Sequence, residues 1–248
     1  MKKIALCLGV ALVFSSVAFA NGPKWDYEGK NSPQNWGKIS KDFDTCSLGK
    51  SQSPVNITNF TETKMPYKII FSYKAFPKLE VDDGRTIRVE YNKDAYVSID
   101  GHRYYLTQFH FHSPAENLLK NKQYPLEMHL VHQDKDGHLL VVAIWFKEGK
   151  DNKILDPVWK AMPQKVGEKI KVSNVDLGKL IPKKLDFFHY DGSLTTPPCT
   201  EGVSWFILKE PLEVSKDQIK KIQQTLKESN NRPVQPLNNR KVELYIQQ

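Results

Sequence analysis

The sequence lacks the features that would divide or specialise it. No linker rich in proline, glycine and serine interrupts its 248 residues, and no internal repeat is present. Since all-β domains reach this length, a single domain is the preferred organisation. Lysine and arginine, 36 in all against 28 aspartate and glutamate, are scattered without a run of like charge or an arginine-rich arm. This mildly basic distribution is typical of a soluble charged surface and argues against nucleic-acid binding.

Long apolar runs are also missing. The longest, residues 4–14, follows Lys2 and Lys3 and leads to small residues that end at Ala20. It is too short for a comfortable membrane span, and the pattern is that of a secretory signal peptide. We therefore expect residues 1–20 to be removed. Residues 21–248 would form the mature domain, exported without a membrane span, in a bacterial periplasm.

Cysteine is scarce, with three residues in the chain. Cys7 leaves with the signal peptide, so Cys46 and Cys199 would remain in an oxidising compartment, where an even pair more often forms a structural disulfide than a metal site. Closing so long a loop would stabilise the fold by about 4–5 kcal/mol in the chain-entropy model. A reactive thiol is the alternative.

The chain does contain a series of short β-branched and aromatic segments separated by turns. Asp-Gly pairs at 83–84, 100–101 and 136–137 are strong turn signals, and the last lies between two such segments, as in an antiparallel hairpin. The predicted strands cover residues 81–91, 95–100, 104–112, 126–132 and 139–146.

Helical patterns are sparse. Residues 156–161 are one candidate, and residues 215–228 are another, because Ser215 is suited to be an N-cap and apolar residues recur on one face. An aromatic, turn-rich stretch at 23–36 predicts an irregular arm. Strands follow one another without intervening helices, so the sequence predicts a mainly β (α+β) fold with an antiparallel sheet and short peripheral helices.

Histidines occur at strand spacing in two of the predicted strands. Alternation places Gln108, His110 and His112 on one face of the first strand, and Glu127 and His129 on one face of the second. Neutral imidazole is a preferred zinc ligand. Three imidazoles leave the fourth tetrahedral position open for water, which distinguishes a catalytic zinc site from a structural one.

Two polar residues strengthen the metal interpretation. Gln108 and Glu127 precede His110 and His129 by two positions and are suited to accept the second ring proton of each. A lone histidine is more often a satisfied core residue, and we expect this for His132, which falls on the opposite face of its strand. The combination predicts a zinc site on His110, His112 and His129.

Several sequence blocks resemble those of the α-class carbonic anhydrases, in the same order and across essentially the whole mature chain. They are Gln-Phe-His-Phe-His at 108–112, Glu-Asn at 116–117, Glu-Met-His-Leu-Val-His at 127–132, Gln-Ser-Pro-Val-Asn-Ile at 52–57, Gly-Ser-Leu-Thr-Thr-Pro-Pro at 192–198 and Asn-Arg-Pro-Val-Gln-Pro at 231–236. The resemblance implies a large, mostly antiparallel twisted sheet with one Zn²⁺ at the floor of a conical cavity. It also implies reversible hydration of carbon dioxide to bicarbonate by a zinc-bound hydroxide.

The resemblance further implies roles for particular residues. Thr195 would accept a hydrogen bond from the zinc-bound hydroxide and donate one to an ionised Glu116. Thr196, in the substrate pocket, and Tyr27 match polar positions that order water. The apolar wall of the carbon dioxide pocket would consist of Val131, Val141, Leu194, Val203 and Trp205. Anions and sulfonamides would inhibit at zinc, and bacterial relatives suggest a homodimer.

The chain departs from the family at several positions. Arg85 stands where many fast members carry a histidine that relays protons, and a guanidinium does not release its proton near neutral pH. Small buffers or another group such as His189 would then carry the proton. Arg88 would add a second positive charge near the cavity mouth. Ala115 and Asn117 replace serine and histidine beside Glu116, which leaves the local support of that carboxylate in doubt.

Two other functions remain open. Some members of the family have lost zinc and act as recognition domains, although the presence of all three ligand histidines argues against that function here. A periplasmic zinc hydrolase is the other, because the same hydroxide can attack activated esters; we expect esterase chemistry as a side activity.

Overall fold

The computed structural model describes residues 22–73, 77–91, 94–172 and 175–247. The predicted signal peptide lies outside these ranges. Within them the helices are α1 Trp36–Ile39, α2 Thr45–Leu48, α3 Asp156–Ala161 and α4 Lys216–Leu226, with 3₁₀ turns at Gly29–Asn31, Pro33–Asn35, Lys41–Phe43 and Leu177–Leu180. None of the helices in the described part of the chain has the length and apolarity needed to cross a bilayer.

Strands dominate the described residues. They are β1 Asn56–Ile57, β2 Thr61–Lys64, β3 Ile69–Ser72, β4 Pro77–Asp82, β5 Ile87–Tyr91, β6 Tyr96–Ile99, β7 His102–His112, β8 Leu118–Leu119, β9 Leu126–Gln133, β10 Leu139–Glu148, β11 Lys169–Ile170, β12 Phe187–Ser193, β13 Glu201–Leu208, β14 Leu212–Val214 and β15 Glu243–Ile246.

Nearly all of these strands join one mixed sheet, whose main path is β11-β4-β5-β7-β9-β10-β13-β12-β15-β2. Most neighbours are antiparallel, whereas β13 and β14 run parallel to β10 and β2 runs parallel to β15. The predicted mainly β fold, with a large and mostly antiparallel sheet, is therefore confirmed. The parallel pairing of β10 with β13 was not predicted.

The prediction of one strand over residues 81–91 is wrong. β4 ends at Asp82 and β5 begins at Ile87, and the turn between them contains Gly84 at φ +85°, which glycine adopts without strain. Asp82 Oδ1 accepts the Gly84 N–H at 2.8 Å, and Asp83 Oδ1 accepts two further backbone N–H groups. The Asp-Gly turn signal thus outweighs the β-branched residues on either side of it.

Both predicted helices are present. α3 has the predicted bounds, and α4 lies within the predicted range of 215–228. Ser215 caps α4 in a reciprocal capping box with Gln218, in which each side chain bonds the backbone N–H of the other residue. The arm at 23–36 is irregular as predicted, with 3₁₀ turns, and α1 begins at its last residue.

Side-chain alternation gives the sheet two different faces. Phe109 and Phe111 of β7, with Met128 and Leu130 of β9, are fully buried in the larger hydrophobic core, which residues of α3 and α4 cover. The histidines at the intervening positions lie on the other face, next to a second apolar cluster built around β10, β12 and β13. The candidate metal ligands therefore sit on a rigid, two-sided support.

The predicted disulfide is present between Cys46 and Cys199, whose Cα atoms lie 5.0 Å apart. Both cysteines are buried in a small cluster with Tyr27 and Trp36. The bond joins α2 to the loop that follows β12. It therefore fixes the N-terminal part of the domain against the loop that contains Thr195.

His132 is a core residue, as predicted. Its ring is fully buried among residues of the larger core, with Nε2 2.9 Å from the Tyr73 hydroxyl oxygen and Nδ1 3.3 Å from the carbonyl oxygen of Leu140. Burial lowers the pKa of His132 to about 4. The folded protein thus keeps this imidazole neutral where an unfolded chain would protonate it.

Replacing His132 with Gln should flatten the pH dependence of stability. In the unfolded wild-type chain His132 protonates near pH 6.5, but in the folded chain only near pH 4, so its contribution is complete above pH 6.5 and is lost as the pH falls towards 4. The loss amounts to about 3 kcal/mol over the interval. Urea unfolding at several pH values measures it, and parallel curves for the two proteins would contradict the assignment.

Candidate active site

The pairing of β7 with β9 brings the three predicted zinc ligands together. In the antiparallel register His110 lies opposite His129, and His112 lies opposite Glu127. The ring centroids of the three imidazoles are 4.6 to 5.2 Å apart, and one nitrogen of each lies within 4.8 Å of the other two. The three side chains converge on one point.

Each imidazole has one nitrogen next to an oxygen acceptor. His110 Nδ1 lies 2.9 Å from Oε1 of Gln108, and His129 Nε2 lies 3.1 Å from Oε1 of Glu127. His112 Nδ1 lies 2.6 Å from the backbone oxygen of Asn230. These contacts leave Nε2 of His110, Nε2 of His112 and Nδ1 of His129 for the point where the rings converge.

The donor set fits a zinc ion. Burial lowers the pKa of His110 and His129 well below the ordinary value and also lowers that of His112, so the rings are neutral near pH 7 and carry free lone pairs. His112 Nε2 is buried and has no hydrogen-bond partner among the described residues. Buried polar atoms normally have a partner. Three neutral imidazole nitrogens that face one another are the ligand set of a catalytic zinc centre.

Glu127 is the centre of a buried hydrogen-bond network. Its Oε2 accepts the backbone N–H groups of Glu116 and Asn117 at 2.7 and 2.8 Å, and its Oε1 accepts the Asn117 side-chain amide at 2.8 Å. Burial raises the pKa of Glu127 to about 7, although the bonds from Asn117 lower it. These donors fix the carboxylate that faces His129.

Asn117 belongs to the same buried network. Its Oδ1 atom accepts the Val55 N–H at 3.1 Å and the Tyr190 hydroxyl at 3.0 Å, so its amide connects segments on either side of Glu127. Ala115 is buried, and its backbone pairs with Tyr124. Asn117 therefore supports Glu127 and is itself held by two further hydrogen bonds.

Glu116 is fully buried beside the imidazoles. Its Oε1 accepts the backbone N–H of Arg232 at 2.8 Å, and its Oε2 lies 3.4 Å from His112 Nε2 and 3.9 Å from His129 Nδ1. Burial raises the pKa of Glu116 well above its usual value, while the Arg232 N–H and the Thr195 hydroxyl oppose this shift by hydrogen bonding. Thr195 is buried and lies in the loop after β12.

An apolar surface borders the site on the side of His129. Val141 pairs with Val131 across β9 and with Trp205 across β13, and the Trp205 ring centroid is 4.9 Å from that of His129. The apolar residues assigned to the substrate wall belong to one cluster, with Val141, Val203 and Trp205 in its interior and Val131 and Leu194 packed against them.

Of the two residues predicted to order water, Tyr27 is the more deeply buried. It is buried in the aromatic cluster of the N-terminal arm, and its pKa is raised well above the usual value by burial and further by the charge of Glu116. Thr196 is half-buried next to Thr195, and its carbonyl oxygen accepts the Cys199 N–H at 2.9 Å.

Two arginines lie in or next to the β4–β5 turn, and one of them faces His110, which is the least buried of the three histidines. Arg88 is opposite His110 in the β5–β7 register, and its guanidinium lies 3.3 Å from Asp83 Oδ2 and 3.4 Å from Glu90 Oε1. Its positive charge is thus partly neutralised. Arg85 donates through Nε and Nη2 to the Trp25 carbonyl oxygen at 3.2 and 3.1 Å.

The suggestion that His189 replaces the missing relay is wrong. His189 pairs with Phe206 across β13, whereas the adjacent Tyr190 pairs with Trp205, which faces His129. The His189 ring therefore lies on the opposite side of the sheet, where it stacks on Tyr245 at 5.4 Å. Successive side chains of a strand point to opposite faces of the sheet, so His189 points away from the three imidazoles and cannot relay a proton from them directly.

Asn230 is a site residue that pattern analysis missed. Besides accepting from His112 through its backbone, it accepts the Ser113 N–H at 2.8 Å and donates to the carbonyl oxygens of Phe111 and Arg85 at 2.9 Å. It is 118 residues from His112 in sequence. In the sequence, the family-like block at 231–236 directly follows Asn230, and this proximity is the signal that could have marked it as a site residue.

A mixed sheet that presents three converging imidazoles on one face is typical of enzymes with a single metal site. Residues 31–246 match the family described as eukaryotic-type carbonic anhydrase. A carbonic anhydrase from Neisseria gonorrhoeae is 42% identical over 243 residues, which cover 97% of this chain and 96% of that protein.

Solved structures agree with the family match. The α-carbonic anhydrase from Thermovibrio ammonificans, solved in complex with the inhibitor sulfanilamide, has a TM-score of 0.85 and 42% identity, and the match covers 90% of this chain and 99% of that one. A hyperthermostable carbonic anhydrase from a hydrothermal vent chimney has a TM-score of 0.86 and 43% identity, covering 90% and 100%. The chain belongs to the α-carbonic anhydrase family, and it is an enzyme whose family reaction is the hydration of carbon dioxide.

Proposed function

We propose that the chain hydrates carbon dioxide reversibly with one Zn²⁺ held by His110, His112 and His129. The supporting observation is the convergence of three buried, neutral imidazoles, each with its second nitrogen next to an oxygen acceptor. When bound, zinc supplies Lewis acidity that lets water ionise at neutral pH, a property for which carbonic anhydrases are the standard example. Gln108, Glu127 and the Asn230 carbonyl fix the tautomer and the direction of each ring.

Glu116 and Thr195 orient the attacking hydroxide. The Arg232 N–H occupies one oxygen of Glu116. We expect the Thr195 hydroxyl to donate to this carboxylate, which would leave its own lone pairs for the proton of the hydroxide. A hydroxide held in this way directs a lone pair towards the substrate carbon. Its oxygen then adds to carbon dioxide to give bicarbonate.

The apolar wall provides the substrate position. Carbon dioxide is apolar and displaces water readily from a hydrocarbon surface, which Val141, Val203 and Trp205 present beside His129. Val131, Leu194 and Thr196 complete the proposed pocket at its half-buried edge. Tyr27 orders water on the side of Glu116.

Proton export is the slow step in this proposal. The Arg85 side chain is bound to Trp25 and ends in a guanidinium, a group unsuited to proton relay, and His189 faces the other side of the sheet, so neither carries a proton to solvent. Small buffer molecules then take up the proton at the opening near His110. Turnover depends on buffer concentration as a consequence.

Stopped-flow hydration and a zinc count on the same sample test the function. We expect about one zinc per chain and hydration that a sulfonamide blocks. Replacing His110, His112 or His129 with Ala should remove zinc and hydration together, because two imidazoles hold the ion poorly. The exposed His102→Ala is the matched control and should change neither.

Two results would overturn this function. Folded protein without zinc and without hydration would favour a recognition domain. Slow hydration beside fast, saturable cleavage of an activated ester would favour a hydrolase.

The buffer dependence has its own test, in which Arg85 is replaced with His. The variant should have a higher maximal hydration rate than wild type in weak buffer, because imidazole exchanges protons near pH 7, and this advantage should disappear as buffer concentration rises. Arg88→Gln, three residues further along the chain in β5, controls for the loss of a guanidinium without adding an imidazole. Rates that do not respond to buffer in either protein would refute slow proton export.

We also propose export to an oxidising compartment, which the Cys46–Cys199 disulfide supports. Mass spectrometry of the protein from the periplasmic fraction of producing bacteria should give a chain that begins at Asn21, with the two cysteines oxidised. A chain that retains Lys2 and Lys3 in the cytoplasmic fraction would contradict it. Light scattering on the same sample measures whether the mature chain is a homodimer.

A further inference from the structure

Arg85 makes three contacts with Trp25 in the N-terminal arm. Its Nε and Nη2 atoms donate to the Trp25 carbonyl oxygen at 3.2 and 3.1 Å, and its guanidinium carbon lies 4.1 Å from the centroid of the Trp25 ring. Paired donation to one oxygen with stacking on an aromatic face is a geometry that arginine achieves and lysine does not. The Arg85 side chain is thus bound to the arm.

Trp25 is the outer member of an aromatic group that includes Tyr27. The Trp25 ring meets those of Tyr27 and Trp36 edge to face, at 5.7 and 5.2 Å. Trp36 is fully buried, and its Nε1 donates to the Asp26 carbonyl oxygen at 2.9 Å. Any movement of Trp25 would therefore move the backbone at Asp26 and the ring of Tyr27.

The backbone of Arg85 is fixed relative to the metal site. Its carbonyl oxygen accepts the side-chain amide of Asn230 at 2.9 Å, and the Asn230 carbonyl oxygen in turn accepts from His112. Arg85 thus connects Asn230, which supports the predicted zinc ligand His112, to the arm that contains Tyr27.

We propose that Arg85 is a positioning residue that clamps the first part of the arm, residues 24–27, beside the active site. It thereby holds Tyr27 in place for the water network. The inference rests on the proposed role of Tyr27 in hydration. The position that serves proton transfer in many relatives serves arm placement in this chain. Arg85 acts through Trp25 and does not itself touch the substrate.

Hydrogen–deuterium exchange of the zinc-loaded protein tests the clamp independently of catalysis. The Asp26 N–H donates to the Asn31 carbonyl oxygen and the Ser32 N–H to that of Gly29, so both amides report on the arm. Arg85→Ala should speed their exchange about tenfold, since it removes a stacking contact and two charge-assisted hydrogen bonds. Arg85→Lys, which keeps the charge and some stacking, should fall between Arg85→Ala and wild type.

Arg88→Ala is the matched control for this experiment. Arg88 lies on the adjacent strand with a similar loss of charge on replacement, but its guanidinium contacts Asp83 and Glu90. Its removal should leave the arm amides unchanged. Exchange in Arg85→Ala equal to wild type, or equal acceleration in Arg88→Ala, would overturn the clamp. The result stands whether or not the protein hydrates carbon dioxide, so a failure of the proposed function is recognised separately.

A double-mutant cycle with Tyr27→Phe distinguishes positioning from general stability. In saturating buffer, Arg85→Ala and Tyr27→Phe should each lower the kcat for hydration, and the double variant should be no slower than the slower single variant, because both changes remove the same hydroxyl from its position. The zinc content should stay constant throughout. Multiplicative losses would show that Arg85 does not act through Tyr27 and would reject the proposal.

Discussion

The antiparallel register of β7 with β9 is the constraint on which the site depends. It sets His110 opposite His129 and leaves Phe109 and Phe111 for the core behind them. A slip of one residue would turn the three candidate metal ligands into the core and Phe109 and Phe111 outward. Burial of the apolar face and assembly of the three imidazoles therefore require the same register. The energy of the large core thereby fixes the geometry of the small polar site.

Several ionisable groups are buried around the imidazoles, and each depends on hydrogen-bond partners from other segments of the chain. Glu127 is held by backbone donors at 116 and 117, and Glu116 by the backbone of Arg232. The Arg232 guanidinium donates to the carbonyl oxygens of Cys46 and Ser53 and to the side chain of Gln52. Since buried charges without partners are strongly destabilising, this network and the disulfide at Cys46 support each other.

The turn between β4 and β5 links the candidate metal site to the N-terminal arm. The Arg85 carbonyl oxygen accepts the side-chain amide of Asn230, whose own carbonyl oxygen lies 2.6 Å from His112 Nδ1. The Arg85 guanidinium bonds the Trp25 carbonyl oxygen and stacks on the Trp25 ring, which satisfies its positive charge. Arg85 therefore contacts both the support of a predicted zinc ligand and the arm.

The sequence by itself determined the class of fold, the disulfide pair, the helices at α3 and α4, and which three histidines could share a metal, because strand alternation is a local property that the residues carry with them. It did not determine that His112 is held by Asn230, that Arg85 is bound to Trp25, or that His189 lies behind the sheet. Those facts come from contacts between segments far apart in the chain, among them the parallel pairing of β10 with β13. Only the tertiary structure decides them, because long-range register and loop placement follow from how the whole core packs and not from any local pattern.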